Sequence, residues 1–201
     1  MTPLLGNRSK GLFFILSAPA GTGKTTLVEL LKNEFPQVVS SISFTTRSPR
    51  KDEINGRDYH FVDEETFKAK LIAQDFIEYV NLYGTYYGTC KRWIFEQQEK
   101  GKHVFLVIDT QGAEQIRKQL EVITTFVKPP SLEELKDRLV KRQTDSEVEI
   151  QKRLERAVFE LQEADSYDYE IVNDDLSTAY QKLRSILIAE CNRNRIQQIV
   201  E

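Results

Sequence analysis

The sequence predicts an α/β fold, with a three-layer core around a parallel sheet and an inserted α+β subdomain, for three reasons. Apolar stretches alternate along the chain between strand-like and helix-like periods. Four strand-like stretches are each followed by a helical segment, which favours parallel strands with helices on both faces of the sheet. Between about residues 39 and 101 the strands are shorter and lie around one helix, so we expect this segment to be a separate subdomain.

The elements of the core can be placed from these patterns. The predicted core strands are Leu12–Ser17, Val104–Ile108, Ile123–Val127 and Glu170–Val172. Two pairs of residues have the spacing of a capping box, namely Ser131 with Glu134 and Ser146 with Glu149. Helices are therefore expected to begin near Leu132 and Glu147. The first 10 residues are expected to be frayed.

The inserted subdomain has its own elements. Its predicted strands are Ser40–Phe44, Tyr59–Val62 and Phe76–Leu82, and its helix is Glu64–Ala73. A further helix is expected at Lys91–Lys100, and Tyr86-Tyr87-Gly88 before it is interpreted as a turn.

Composition fits one domain over residues 1–201, because 40% of the residues are hydrophobic and 29% are charged. The net charge of -3 gives no general basis for binding nucleic acid. We expect no signal peptide, and no apolar run approaches the length of a membrane span. We therefore expect a cytoplasmic protein with no membrane partner, in which Cys90 and Cys191 are reduced.

A phosphate-binding loop follows the first predicted strand. Its sequence is Ala18-Pro19-Ala20-Gly21-Thr22-Gly23-Lys24-Thr25, and an apolar helix-like run comes directly after it. Glycines allow backbone N–H groups to wrap a phosphate chain, Lys24 neutralises the β and γ phosphates, and Thr25 offers a hydroxyl to Mg²⁺. This is a P-loop, with Ala18 where the first glycine is usual. It predicts a bound nucleotide but not a reaction.

A second anion site is predicted in the inserted subdomain. Arg47 and Arg50 are three residues apart on either side of Pro49, and Tyr59 follows nine residues after Arg50. Arginine pairs with phosphate through two parallel hydrogen bonds, and a tyrosine hydroxyl adds a neutral donor. The pattern predicts a clamp for a second phosphate group.

The chain resembles the guanylate kinase family over nearly its whole length. The motifs that carry the resemblance are Ser17–Thr26, Thr45-Thr46-Arg47 through Gly56 to Tyr59-His60-Phe61, Tyr86-Tyr87-Gly88, Ile108-Asp109-Thr110-Gln111-Gly112, Pro129-Pro130-Ser131, and Ile171-Val172-Asn173-Asp174-Asp175. The resemblance implies a P-loop core over about residues 11–38, 102–134 and 157–201, a GMP-binding subdomain over about 39–101, and a helical lid over about 135–156. It also implies transfer of the terminal phosphoryl of ATP to GMP, with Mg²⁺ bound to ATP.

The resemblance assigns a role to each site residue. The residues implied for ATP are Ala18, Pro19, Ala20, Gly21, Thr22, Gly23, Lys24, Thr25, Thr26 and Asn173, with Thr25 on the metal. Those implied for GMP are Arg47, Arg50, Tyr59 and Tyr87 at the phosphate, and Ser43, Glu78, Thr89 and Asp109 at the base. Those implied for catalysis are Lys24, Arg138, Arg142 and Arg153. Nothing in the sequence reads the ribose 2′-hydroxyl, so dGMP is expected as a second acceptor.

Glu78 supports guanine independently of the resemblance. It is a carboxylate inside the apolar run Phe76–Val80. Guanine presents N1–H and a 2-amino group side by side, whereas adenine has an acceptor at N1. One buried carboxylate that accepts from both donors would therefore select guanine and reject adenine. An exposed acid on an alternating strand is the alternative interpretation.

The chain departs from the family at two places. Val107 stands where an aspartate is common, which leaves metal affinity open. Lys141 and Gln143 stand where glycines flank the lid arginine, which is expected to stiffen the lid.

Rival functions are a small GTPase, which would need an Asn-Lys-x-Asp motif that Asn173–Leu176 lacks, and a kinase for another small metabolite. An inactive guanylate-kinase-like module that binds phosphorylated proteins is the alternative from another class. We expect a monomer or a weak homo-oligomer.

Overall fold

A computed structural model describes residues 4–6, 8–82, 84–141 and 146–194. In chain order the elements are β1 (Phe13–Ser17), α1 (Lys24–Glu34), β2 (Val38–Ser40), β3 (Phe44–Thr45), β4 (His60–Phe61), α2 (Glu64–Ile72), β5 (Phe76–Leu82), β6 (Thr85–Cys90), α3 (Lys91–Glu99), β7 (His103–Val107), α4 (Thr110–Arg117), β8 (Ile123–Lys128), α5 (Leu132–Lys141), α6 (Glu147–Gln162), β9 (Tyr169–Val172) and α7 (Leu176–Asn192). A short 3₁₀ helix, Ala164–Ser166, precedes β9.

The core sheet has the strand order β2-β7-β1-β8-β9, and every neighbouring pair in it is parallel. Every residue of β1 is buried, as expected for a strand covered on both faces. The predicted core strands are confirmed to within one residue at each end. The carboxyl ends of β1 and β7 lead directly to the P-loop and to Asp109, which brings these two segments to the same edge of the sheet.

Helices cover both faces of this sheet. Alternate residues of β1 point in opposite directions: Phe14 belongs to the apolar cluster with α1 and α7, whereas Ile15 belongs to the cluster with α3 and α4. The predicted three-layer core is therefore confirmed. A third apolar cluster, built on Leu135 and Leu139, joins α5 to α6.

The inserted segment forms a second sheet with the order β4-β3-β6-β5. The α2 side chain Phe67 is fully buried and stacks on the rings of Phe76 and Tyr86. Helix α4 of the core holds this sheet in place, because the Gln115 amide donates to the carbonyl of Tyr79 at 2.8 Å and accepts from its N–H at 3.2 Å. Strand β5, which carries Glu78, is thus fixed to the core.

Three sequence predictions about elements are wrong. The strand expected at Ser40–Phe44 is two strands in different sheets, since pairing with the core continues through the Ser41 N–H to the Phe105 carbonyl, 2.9 Å, before the chain crosses over. Tyr86-Tyr87-Gly88, interpreted as a turn, lies within β6 and pairs with β5. The N-terminal segment is not frayed at Leu5, which is 3% exposed, or at Arg8, whose guanidinium donates to the Cys191 carbonyl at 2.8 Å.

Within the described residues, no helix is long and apolar enough to cross a membrane.

Candidate active site

A cleft of about 510 Å³ lies between the P-loop, the inserted sheet and α6. Eleven of the residues predicted for the site line it: Ala18, Ala20, Lys24, Ser43, Arg47, Arg50, Tyr59, Glu78, Tyr87, Asp109 and Arg153. They come from segments that are far apart in sequence, so the fold alone brings them together.

The P-loop is shaped by glycines and by its own hydrogen bonds. Gly21 and Gly23 have φ of 98° and 94°, values that side-chain-bearing residues rarely adopt. A Cβ on Gly23 would lie 2.7 Å from the Asn173 amide nitrogen. The buried Thr22 hydroxyl donates to the Pro19 carbonyl at 2.9 Å. These contacts hold the loop in one conformation.

Helix α1 begins at the end of this loop without a side-chain cap, and its first turn carries no acid. Its first N–H groups therefore remain available to an anion. The Lys24 ammonium lies back along the loop, 2.6 Å from the Ala18 carbonyl. Thr25 and Thr26 are the next two residues of α1, and both are exposed. The donor set fits a phosphate chain.

Asn173 and Arg138 lie on another side of the same loop. The buried Asn173 amide donates to the Thr22 carbonyl at 2.6 Å, and the Asn173 carbonyl accepts from the Arg138 guanidinium at 3.0 Å. Arg138 also donates to Glu134 at 3.1 Å. Arg138, predicted beside the other catalytic cations, is not among the residues that line the cleft.

The arginine pair of the insert has a partner that the sequence interpretation missed. Glu53 accepts two hydrogen bonds from the Arg47 guanidinium, at 2.8 and 2.9 Å, and one from the Arg50 N–H at 2.8 Å. Partial burial disfavours its charge, but the bonds to Arg47 and Arg50 outweigh this and hold the pKa of Glu53 below its usual range. The sequence signal for this role of Glu53 was its spacing of three residues from Arg50.

Two tyrosines complete this corner of the cleft. The Arg47 guanidinium carbon lies 5.5 Å from the ring centre of Tyr59, and the Tyr59 and Tyr87 ring centres are 6.0 Å apart. Burial raises the pKa of Tyr59, so its hydroxyl is a neutral donor at physiological pH. Cations and neutral donors thus converge, as a phosphate monoester requires.

Glu78 is buried in the wall of the cleft and only 3% exposed. One carboxylate oxygen accepts from the Thr89 hydroxyl at 2.6 Å, across the β5–β6 pair. Thr89 is fully buried and lies behind Glu78, outside the lining of the cleft. Desolvation raises the pKa of Glu78 to about 7, and the nearby Asp109 charge adds to this despite the Thr89 hydrogen bond. The exposed-acid interpretation of Glu78 is therefore wrong.

Asp109 is held by a residue of α6 that the sequence interpretation also missed. The Arg156 guanidinium donates to Asp109 Oδ2 at 2.5 Å and to Glu160 Oε1 at 2.7 Å. Both Arg156 and Glu160 line the cleft. The i,i+4 spacing of Arg156 and Glu160 was visible in the sequence, but Asp109 is 47 residues away from Arg156.

The amino-terminal part of α6 faces the cleft. It contributes Arg153, with Lys152 and Glu149, and α6 begins with the predicted capping box at Ser146. The other predicted arginine, Arg142, lies outside the described residues. Within those residues, no group of three or more side chains is arranged to hold a metal ion.

A parallel core sheet with a P-loop at its edge, and a second anion site facing that loop, define the class: a P-loop nucleotide-binding protein with places for two phosphate-bearing ligands. The family model for guanylate kinase matches residues 10–190. A guanylate kinase from Protochlamydia amoebophila is 60% identical over 191 residues, covering 94% of this chain and 97% of that protein. A guanylate kinase from Chlamydia trachomatis serovar D is 50% identical, covering 90% of this chain and 88% of that protein.

Solved structures agree with this. The crystal structure of guanylate kinase from Anaplasma phagocytophilum superposes with a TM-score of 0.77 at 33% sequence identity, covering 93% of this chain and 89% of that one. The chain belongs to the guanylate kinase family.

Proposed function

We propose that this chain transfers the terminal phosphoryl group of ATP to GMP, giving ADP and GDP, with ATP on the P-loop and GMP against the inserted sheet. Its family membership supports the reaction. The observation that carries the choice of acceptor is the buried carboxylate of Glu78 in the same cleft as the arginine pair.

Glu78 selects the base by its acceptors. The guanine N1–H and 2-amino group donate to its carboxylate, whereas adenine would oppose an acceptor with an acceptor. Because Glu78 is buried, a base that left it unpaired would incur the cost of a desolvated, unsatisfied charge. Ser43 and Asp109 border the same space, and Thr89 orients Glu78 from behind.

Arg47, Arg50, Tyr59 and Tyr87 hold the GMP phosphate. The support is that these side chains converge on one corner of the cleft, where Glu53 accepts from the Arg47 guanidinium and from the Arg50 backbone N–H before any ligand arrives. A preorganised site loses less conformational entropy when it binds.

ATP occupies the opposite side. The loop N–H groups from Ala18 to Gly23 and the first turn of α1 bind its phosphates, with Lys24 as the countercharge. Thr25 and the phosphates would hold Mg²⁺, which supplies charge neutralisation on the phosphate oxygens. Asn173, which donates to the Thr22 carbonyl beyond the loop, is assigned to the nucleoside end of this site. Arg138, which donates to the Asn173 carbonyl, keeps its proposed catalytic role.

The reaction is mainly an electrostatic problem, because the loose transition state spreads charge over the transferred group. Lys24 meets this charge from the P-loop, and Arg153 meets it from α6. We assign Arg142 the same task. Segment α5–α6 is the proposed lid, which excludes water when both nucleotides are bound and so suppresses ATP hydrolysis.

Two features favour an enzyme over an inactive binding module. The P-loop keeps Gly21, Gly23, Lys24 and Thr25, and α6 presents Arg153 to the cleft. A module that only bound phosphorylated proteins would need neither. Cys90 and Cys191 form no disulfide in the described part of the chain, which fits a cytoplasmic setting.

A coupled assay of ADP release tests the proposal, with ATP and Mg²⁺ against GMP, dGMP, AMP, CMP and UMP. Turnover is expected with GMP and dGMP. Equal turnover with AMP would contradict the guanine assignment. No turnover with any acceptor, together with binding of a phosphopeptide, would favour the inactive module.

A further inference from the structure

We propose that Arg156 is a positioning residue that holds Asp109 beside Glu78 and thereby sets the pair of carboxylates against which the guanine base docks. This inference rests on the proposed function, because it concerns how the GMP side of the cleft is made specific. It adds to the site a residue of α6 that binds neither nucleotide phosphate.

Arg156 contacts two carboxylates at once with its guanidinium. Its side chain leaves α6, is 19% exposed, and ends between two carboxylates. Nη2 lies 2.5 Å from Asp109 Oδ2, and Nε lies 2.7 Å from Glu160 Oε1. Glu160 is itself 7% exposed. One guanidinium therefore links α6 to the end of the core sheet through Asp109, while Glu160 of α6 itself holds the guanidinium in place. A single-point cation such as lysine cannot contact both acids equally well.

Arg156 is the second of two groups that fix the Asp109 carboxylate. The other Asp109 oxygen, Oδ1, accepts from the Gly112 N–H at 2.8 Å and caps α4. With both oxygens engaged, the carboxylate has one orientation.

The carboxylates of Asp109 and Glu78 are neighbours. A Cβ added to Gly112 would lie 2.7 Å from Glu78 Oε2 and 3.3 Å from Asp109 Oδ1. The two carboxylates thus lie around one glycine, and the Asp109 charge is among the causes that raise the pKa of Glu78. Two close acids do not both ionise easily unless a cation compensates.

Charges from several elements face this pair. Thr89 on β6 donates to Glu78, and Arg156 and Glu160 face Asp109 from α6. Lys24 acts on Glu160 from the P-loop, and the Tyr167 hydroxyl, whose pKa burial raises to about 12, stays neutral near Asp109. Arg156 is the cation that contacts Asp109 directly. Removing it takes away this direct countercharge of Asp109 next to Glu78.

The consequence concerns guanine recognition. Glu78 must be ionised to accept from both guanine donors. Without Arg156, the free Asp109 charge favours a proton on Glu78, and a protonated Glu78 offers a donor where guanine also presents one. GMP use should then fail at a higher pH than in the wild type, while ATP binding on the P-loop is spared.

The test is the pH profile of kcat/KM for GMP in Arg156→Gln, Arg156→Lys and the wild type. The matched control is Arg92→Gln, because Arg92 also pairs with a glutamate at i,i+4, Glu96, but is 88% exposed on α3. The acid limb is the part of the profile in which kcat/KM falls as the pH drops. In Arg156→Gln this limb should move up by about one pH unit, so that kcat/KM for GMP falls roughly tenfold at pH 6 and much less at pH 8.5. Arg156→Lys should recover most of the shift, and Arg92→Gln should not move the limb.

Asp109→Asn should shift the acid limb in the opposite direction. This second test does not depend on whether an Arg156 variant folds. Removing the Asp109 charge should move the acid limb to lower pH. An unmoved limb in Arg156→Gln, or a loss that is the same at every pH, would overturn the positioning role. Failure of the wild type to phosphorylate GMP would instead overturn the proposed function, so the two failures are distinguishable.

Discussion

The two proposed anion sites of the cleft are built in different ways. The P-loop presents backbone N–H groups, and its shape depends on Gly21 and Gly23 at positive φ. The clamp of the insert presents side chains, and its shape depends on Glu53, which accepts from the Arg47 guanidinium and from the Arg50 backbone N–H. The backbone site is therefore encoded by one short sequence motif. The side-chain site also needs a countercharge that orients its cations.

The proposed chemistry between these sites should be the most sensitive to mutation. Arg153→Ala is expected to lower kcat on the order of 10³-fold with a modest change in KM, because the arginine acts on charge that develops only in the transition state. Single-turnover kinetics check this, with the exposed Arg92→Ala as control. An unchanged phosphoryl-transfer step would reduce Arg153 to a solvated basic residue on α6.

Breaking the side-chain clamp should affect one nucleotide only. Arg47→Ala or Arg50→Ala is expected to weaken GMP binding by about 2 kcal/mol, roughly 30-fold, since each removes charge-assisted hydrogen bonds. ATP affinity should stay nearly constant, because its phosphates lie on the P-loop.

Titration calorimetry with each nucleotide measures this, and Arg57→Ala is the matched control, being an arginine of the same subdomain that is 58% exposed and paired with Asp58. A matching loss of ATP affinity would contradict the two-site assignment.

Breaking the backbone site should show first as lost stability. Gly23→Ala places a Cβ at φ 94° and 2.7 Å from the Asn173 amide. We expect the free energy of unfolding to fall by about 1–3 kcal/mol. Thermal denaturation checks this, and Gly56→Ala, which also has positive φ but meets nothing within 4 Å, separates backbone strain from the clash. Equal losses in both variants would show that the contact with Asn173 adds nothing.

The same contrast explains what the sequence could predict. Four of the five core strands and the P-loop depend on local patterns, namely apolar runs and glycine spacing, and these four strands were predicted to within a residue at each end. The single strand predicted at Ser40–Phe44 was wrong because the alternation of polar and apolar residues continues across the crossover between sheets. No local signal marked where the chain leaves one sheet for the other.

The missed residues share a physical cause. Glu53 and Arg156 act through charges that partner the predicted residues, and neither carries a motif of its own. Arg156 in particular meets Asp109 across 47 positions, a contact that only the tertiary structure establishes. Glu78 could be predicted because an acid in an apolar strand is conspicuous, but its depth and its contact with Thr89 came from the fold.

The most direct test of the account is kcat/KM for GMP in Glu78→Gln and in the wild type across pH. The amide replaces an acceptor with a donor, so the account predicts a loss of about 2–4 kcal/mol, roughly 30- to 1,000-fold, at pH 8. Because the pKa of Glu78 is raised to about 7, mainly by burial, wild-type efficiency with GMP should fall as the pH drops below that value. The variant should lack this dependence, and the exposed Glu96→Gln should behave as wild type. Unchanged GMP kinetics in Glu78→Gln would contradict the claim that this carboxylate reads guanine.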